Sequence, residues 1–348
     1  MKHFLYNAGA NIAIAISLFS AVASGGELEV EGLTRIVRKH FPEGSEGGFA
    51  LLVTRNQEVI HSKGYGIKKG ETPVTSQTRM GLASVSKQFA AMCAAILIGE
   101  GKLNLKDPVS KHLPEIELPI EGRELLVQDL VWHISGLPNF IKSAERKSIA
   151  QYKEAHSLER LNNKTHAEWL ATQSLLRPPG VAYEYTNSGY VLLARIVEVL
   201  SGKTYREFQQ ERILNPLAME NTRSITDFNG SGNMETTLED YSKWDQALWN
   251  NSLLDEETSK LVFKSGRLDN GEAISYGFGW NLEYDEDGLK NVRHGGSGSP
   301  KGNSRNLVLR DIRNNITVAF FARENLKFNR DLRDAIADEL HEFVRRME

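Results

Sequence analysis

Residues 84–98 read SVSKQFAAMCAAILI, and this stretch decides how the rest of the chain is arranged. From Phe89 onward it is apolar at every helical position, and Gly99 and Gly101 follow it. A surface helix carries one apolar stripe, whereas a helix apolar all round must be enclosed by protein. Glycine after the last apolar residue is a common stop signal. Residues 84–98 are therefore expected to form a buried central helix. Ahead of it, GFALLVTR (48–55) and EVIHSKGY (58–65) are rich in strand formers. Only Asn56-Gln57 separates them, which reads as a hairpin. Behind it, from about Asp107 to Gly266, helical patterns dominate, as in 167–176, 189–200 and 238–249. Strand patterns return at 276–283, 289–294, 306–310 and 316–322, and an amphipathic helix closes the chain at 330–345.

Strands and helices that are segregated along a chain argue for an α+β fold over alternating βαβ units. The expected architecture is an antiparallel sheet built from both chain ends and flanked by the first and last helices. An all-helical lobe is inserted into it. In residues, the sheet lobe takes 27–106 and 267–348, and the helical lobe 107–266. A ligand cleft is expected between the lobes. No low-complexity linker and no fixed-period repeat interrupts the pattern.

Composition narrows the function. The 348 residues carry a formal net charge of −3, which gives no electrostatic case for nucleic acid or an anionic membrane surface. The one cysteine, Cys93, excludes an internal disulfide framework and multi-cysteine metal sites. Its place in the apolar helix marks it as core packing. Residues 1–23 read as an export signal: Lys2 and His3, an apolar run from Ile12 to Phe19, then Ala21-Val22-Ala23. Cleavage near Ala23 is expected. That leaves no membrane span and gives a periplasmic or secreted protein.

Three short motifs occur once each. Ser84-Val85-Ser86-Lys87 is an S-x-x-K, whose offset of three puts both side chains on one helix face. A serine hydroxyl needs a neighbouring base, and a lysine serves if burial or nearby positive charge lowers its pKa. Roughly one S-x-x-K arises by chance in a chain this long, so the motif alone is weak. Its blander reading is a capping serine followed by a surface lysine. Tyr185-Thr186-Asn187 is a Y-x-N, placed between Pro178-Pro179-Gly180 and a helix start. The phenol can shuttle a proton if cations favour its phenolate, and the amide can donate and accept hydrogen bonds. Loop packing and a helix cap would also account for it. His294-Gly295-Gly296 is an H-x-G at the end of a strand pattern. Glycine there lets a ligand backbone approach. The N–H of Ser297 could then pair with that of Ser84 to hold an oxyanion. His294 could bind a substrate carboxylate or tune Tyr185. A glycine-rich hairpin turn is the plain alternative.

In this order the motifs resemble those of the serine β-lactamase and D-alanyl-D-alanine peptidase superfamily. The likeness is to the branch holding class C β-lactamases, DD-carboxypeptidases, D-aminopeptidases and related esterases. It extends to MGLASVSK (80–87), GKLNLKDPV (101–109), LVWHISGLP (130–138), PGVAYEYTNSGYVLLARIVEVLSG (179–202), NPLAMENT (215–222) and YGFGW (276–280). It runs from about Leu33 to the C-terminus.

The resemblance implies a catalytic domain over residues 27–348 and an acyl-serine mechanism without metal or organic cofactor. Ser84 would be the acylated nucleophile, and Lys87 would take part in its activation. Tyr185 would be the general acid/base. Which of Lys87 and Tyr185 takes the serine proton stays open. Asn187, His294, Gly296 and Ser297 would bind substrate, with Asn187 also orienting Lys87. His294 stands where many relatives carry the lysine of K-T-G, which argues against potent β-lactam hydrolysis as the main activity. The expected substrate is a small molecule or peptide, derived from peptidoglycan in one version, opened at an amide, ester or lactam. A slow-deacylating penicillin or cell-wall-peptide sensor is the alternative. His133 is read as a structural residue that holds its loop by hydrogen bonds.

Overall fold

The computed structural model describes residues 31–45, 47–68, 72–297, 305–323 and 330–347. The expected export signal, and the start of the catalytic domain at residue 27, lie outside them. Helix α1 covers residues 31–40. Strands β1 (Gly48–Arg55) and β2 (Glu58–Lys68) form the hairpin, turning at Asn56 and Gln57, both at positive φ. Helix α2 is Lys87–Gly99. The middle of the chain contributes α3 (Asn163–Ala171), α4 (Asn187–Ser201) and α5 (Leu238–Asn250). Strands β3 (Asn281–Asp285), β4 (Gly288–Ser297), β5 (Arg305–Asp311) and β6 (Ile316–Arg323) precede α6 (Arg330–Arg345).

These strands and the short Thr72–Pro73 strand form one seven-stranded sheet, in the order Thr72–Pro73, β2, β1, β6, β5, β4, β3. All neighbours are antiparallel. The two chain ends meet where β1 pairs β6, from Gly48↔Arg323 to Arg55↔Ile316. Alternate residues of β1 face opposite layers. Phe49, Leu51 and Val53 join Leu33, Val37, Ile336, Leu340 and Val344 under α1 and α6. Ala50 and Leu52 join the larger core around α2 and the helices of the middle segment. Burial on both faces explains why GFALLVTR is apolar without a polar alternation.

Helix α2 is the centre of that core, and every residue from Lys87 to Leu97 is buried. The expected helix is corrected at its start. Residues Ala83–Ser86 form a tight 3-10 turn, and the α-helix begins at Lys87. The strand expected at 276–283 starts at Asn281 instead. Gly279 is the reason: it sits at φ +78, and a Cβ there would lie 2.8 Å from the Lys87 carbonyl oxygen. The YGFGW segment is a bend pressed onto the head of α2. Within the 107–266 segment, α5 lies on the sheet. Its Asp245 accepts hydrogen bonds from Thr54 of β1, Arg310 of β5 and Thr317 of β6.

Candidate active site

Ser84 stands in the 3-10 turn immediately after Ala83, which has φ +48, a left-handed conformation costly for a residue with a Cβ. The turn is held on both sides. Leu82 N donates to Met234 O at 2.8 Å, and Asn306 Nδ2 donates to Gly81 O at 2.7 Å.

Lys87 follows one turn later and is fully enclosed. Its Nζ lies 3.4 Å from Ser84 Oγ, donates to Asn187 Oδ1 at 2.7 Å and donates to Ser231 O at 2.8 Å. The amine also sits 4.8 Å from the centre of the Tyr185 ring. Burial holds the Lys87 pKa well below the ordinary lysine value, because an ammonium there loses its hydration.

The Tyr185-Thr186-Asn187 segment is fixed from several directions. Thr186 caps α4, its hydroxyl accepting from Ser188 N. Thr186 N donates to His133 Nδ1 at 3.3 Å, and Glu184 N donates to His133 O at 2.8 Å. Asn139 Oδ1 accepts from Asn187 Nδ2 at 3.2 Å, which turns Asn187 Oδ1 toward Lys87. Burial pushes the Tyr185 phenol above its ordinary pKa, and the nearby Ser84 offsets part of the rise. Among the described residues, the phenol oxygen has no hydrogen-bond partner of ordinary geometry.

His294 belongs to the same enclosure, within β4. Its Nδ1 donates to Gly295 O at 2.7 Å, so Nε2 is the acceptor and takes the Tyr276 hydroxyl at 3.0 Å. Burial first, and the Lys87 charge second, pull its pKa down to about 3. It is thus a neutral, buried histidine with both nitrogens engaged. Two residues on, a Cβ at Gly296 would lie 2.5 Å from Leu82 O, so β4 and the Ser84 turn meet with no room for a side chain. Ser297 ends β4 at the exposed rim.

The structure therefore brings Ser84, Lys87, Tyr185, Asn187 and His294 together, with Gly296 and Ser297 along one side. His133 is buried behind Tyr185, ring centres 4.2 Å apart, and holds the loop as expected. Sequence reasoning missed Ser231, Asn139, Tyr276 and Asn306. Ser231 lies between Gly230 and Gly232, and a Cβ at Gly230 would lie 2.2 Å from Tyr190 O. Those flanking glycines were the one available sign of a close backbone approach. Among the described residues, no cluster of three His, Cys, Asp or Glu side chains is placed to hold a metal ion. No helix among them is long and apolar enough to cross a membrane.

Known proteins resemble this chain in sequence and in fold. Penicillin-binding protein 4* of Bacillus subtilis (strain 168) is 27% identical over 280 residues, 68% of this chain. The chain spans 59% of that relative's length. The octameric penicillin-binding protein homologue from Pyrococcus abyssi superposes with a TM-score of 0.72 at 22% identity, covering 90% of this chain and 77% of that one. The D-amino acid amidase from Ochrobactrum anthropi SV3, complexed with D-phenylalanine, gives a TM-score of 0.71 at 19% identity over 91% of this chain and 99% of that one. At these identities the two structures show the fold, an antiparallel sheet flanked by helices. The family model described as Beta-lactamase matches residues 33–341, nearly the whole described chain, and the protein therefore belongs to the beta-lactamase family.

Proposed function

We propose that the protein is a serine hydrolase that opens an amide, ester or lactam through an acyl-Ser84 intermediate. The observation that carries this reading is the setting of the Lys87 amine. Burial favours its neutral form. A neutral amine has two N–H groups and one lone pair. Asn187 Oδ1 and Ser231 O take the two N–H groups, which leaves the lone pair for the Ser84 hydroxyl, 3.4 Å away. Lys87 is thus the acylation base, since the Tyr185 phenol is held protonated at rest.

The steps follow from these protonation states. Ser84 Oγ attacks the carbonyl carbon as its proton passes to Lys87 Nζ. The N–H groups of Ser84 and Ser297 receive the oxyanion. Tyr185 gives its proton to the leaving group as the bond to carbon breaks; its phenolate then takes a proton from the water that attacks the acyl carbon, and Lys87 returns its proton to Ser84 Oγ as the acyl–oxygen bond breaks.

His294 sharpens the substrate class. A neutral imidazole with both nitrogens engaged supplies no positive charge for a substrate carboxylate. Uncharged esters and amides therefore fit this site better than carboxylate-bearing β-lactams. The same proposal places the mature protein outside the cytoplasm, with residues 1–23 removed, which N-terminal sequencing of the exported protein tests.

The functional test is a fluorophosphonate label on Ser84, followed by turnover of a short-chain nitrophenyl ester, a D-Ala-D-Ala peptide and a chromogenic cephalosporin. Labelling lost in Ser84→Ala, with ester turnover ahead of cephalosporin, is the expected result. Normal turnover by Ser84→Ala would overturn the nucleophile assignment. A persistent penicillin adduct without turnover would show a binder instead of a hydrolase.

A further inference from the structure

Asn306 has no place in any of the three motifs, yet it joins three separate segments beneath the nucleophile. It lies on β5 opposite Gly296 in the β4–β5 register and is fully buried. Pairing between β5 and β6 stops at Leu307↔Phe320, one residue short of it. Beyond that point β6 continues to pair with β1, through Phe49↔Ala322. The sheet therefore opens between β5 and β6, and the Asn306 side chain spans the gap. Its Oδ1 accepts from Ala322 N at 3.0 Å, and its Nδ2 donates to Gly81 O at 2.7 Å. A carbonyl only accepts and a backbone N–H only donates, so the amide has one orientation that satisfies both. Its own carbonyl accepts from Arg333 Nη1 of α6 at 2.8 Å.

The consequence is geometric. Gly81 leads through Leu82 and Ala83 into Ser84, and Ala83 is held at φ +48. A strained turn persists only where its surroundings over-determine it. On the other side, Asn306 Cβ lies 3.2 Å from where a Gly296 Cβ would be. One side chain thus touches both the strand that ends in Ser297 and the segment that ends in Ser84.

We infer that Asn306 is a positioning residue that sets the distance between the Ser84 and Ser297 N–H groups and so tunes the oxyanion site. The inference rests on the reading of Ser84 as nucleophile. Its readout is the preference for an oxoester over the matching thionoester. Sulfur is larger and a weaker hydrogen-bond acceptor than oxygen, so N–H groups placed for oxygen discriminate against it.

The test uses Asn306→Asp, which keeps the acceptor for Ala322 N and loses the donor to Gly81 O. Asn306→Ser, smaller and uncharged, serves where the first folds poorly. Thr54→Val, which removes a buried hydrogen bond to Asp245 elsewhere in the sheet, is the structural control. The oxo/thiono ratio is independent of how much enzyme is folded. Both Asn306 variants are expected to lower kcat on the oxoester about 10- to 100-fold, with KM within about twofold, because displaced catalytic groups cost rate before binding. The oxo/thiono ratio is expected to fall about tenfold, and Thr54→Val to leave it unchanged. An unchanged ratio in the Asn306 variants overturns the inference while the Ser84 label stands. A wild-type protein unlabelled at Ser84 overturns the underlying reading, and the inference with it.

Discussion

Gly296→Ala is the smallest perturbation that should disable the site. A methyl group built there lies 2.5 Å from Leu82 O, whereas ordinary contact begins at 3.4 Å, so β4 and the Ser84 turn must part by about 0.9 Å. The methyl has no other way out, because Asn306 Cβ and Nδ2 both stand 3.2 Å from it. Gly296 is not at positive φ, so the penalty is steric and not conformational. A displacement of about 1 Å at a catalytic centre costs about 100-fold in rate. That corresponds to about 2.7 kcal/mol on the barrier. Overpacking also removes about 1–3 kcal/mol of stability. The assay is nitrophenyl ester turnover, normalised to active sites counted with a fluorophosphonate, beside a thermal melt. Gly232→Ala is the control: its Cβ would meet nothing closer than Ala83 O at 3.8 Å. Equal kcat in the two variants would refute the reasoning, because close approach would then be irrelevant to turnover.

Lys87→Met should abolish turnover yet raise stability at pH 7. The folded pKa of Lys87 lies below its unfolded value, so the ionised lysine opposes folding at pH values well below 10.5. The gain should shrink as pH rises toward 10.5, where the unfolded lysine is also neutral; denaturant titrations at pH 7 and 10 check this. In wild type, kcat/KM should rise with pH through a pKa well below 10.5, as the amine becomes available. Asp245→Asn should leave the fully buried Arg310 without its counter-charge and cost about 3–5 kcal/mol, read as a lower denaturation midpoint. His133 sits at φ +58, so His133→Asn, which tolerates that conformation, should keep more activity than His133→Ala. Equal loss in both would assign the effect to the ring packed on Tyr185.

What the sequence made legible was local. Ser84 and Lys87 are one turn apart, Tyr185 and Asn187 share a helix start, and His294 and Gly296 share a strand end. Short spacing alone places each pair. The α+β arrangement was legible because strand and helix patterns separate cleanly along the chain. What stayed hidden depends on distant backbone. The Ser231 carbonyl that holds Lys87 has no side-chain signature. The role of Asn306 depends on where β5 leaves β6, a register no local pattern encodes. The amphipathic pattern of α5 shows that one face is buried, but not that the sheet covers it. YGFGW imitates a strand because aromatic residues and glycine alternate with period two. Its glycines are there for a different reason, since Gly279 has to clear the Lys87 backbone.

In the proposed mechanism one physical cause, burial, acts on both proton-transfer groups. Enclosure lowers an ammonium's pKa and raises a phenol's, so Lys87 moves down and Tyr185 up the pH scale, away from each other. Burial thus favours the neutral form of both, as it does for His294. A site whose enclosure disfavours charge gains little from a charged ground state. In the proposed mechanism charge develops as the reaction proceeds, on Lys87 and on the oxyanion beside Ser84 and Ser297. Groups that respond only to that charge stabilise the transition state more than the substrate, which is what raises kcat. The two pKa shifts and the close contact at Gly296 therefore serve one purpose. The shifts disfavour charge in the resting site, and in the proposed mechanism the contact fixes where the new negative charge is received.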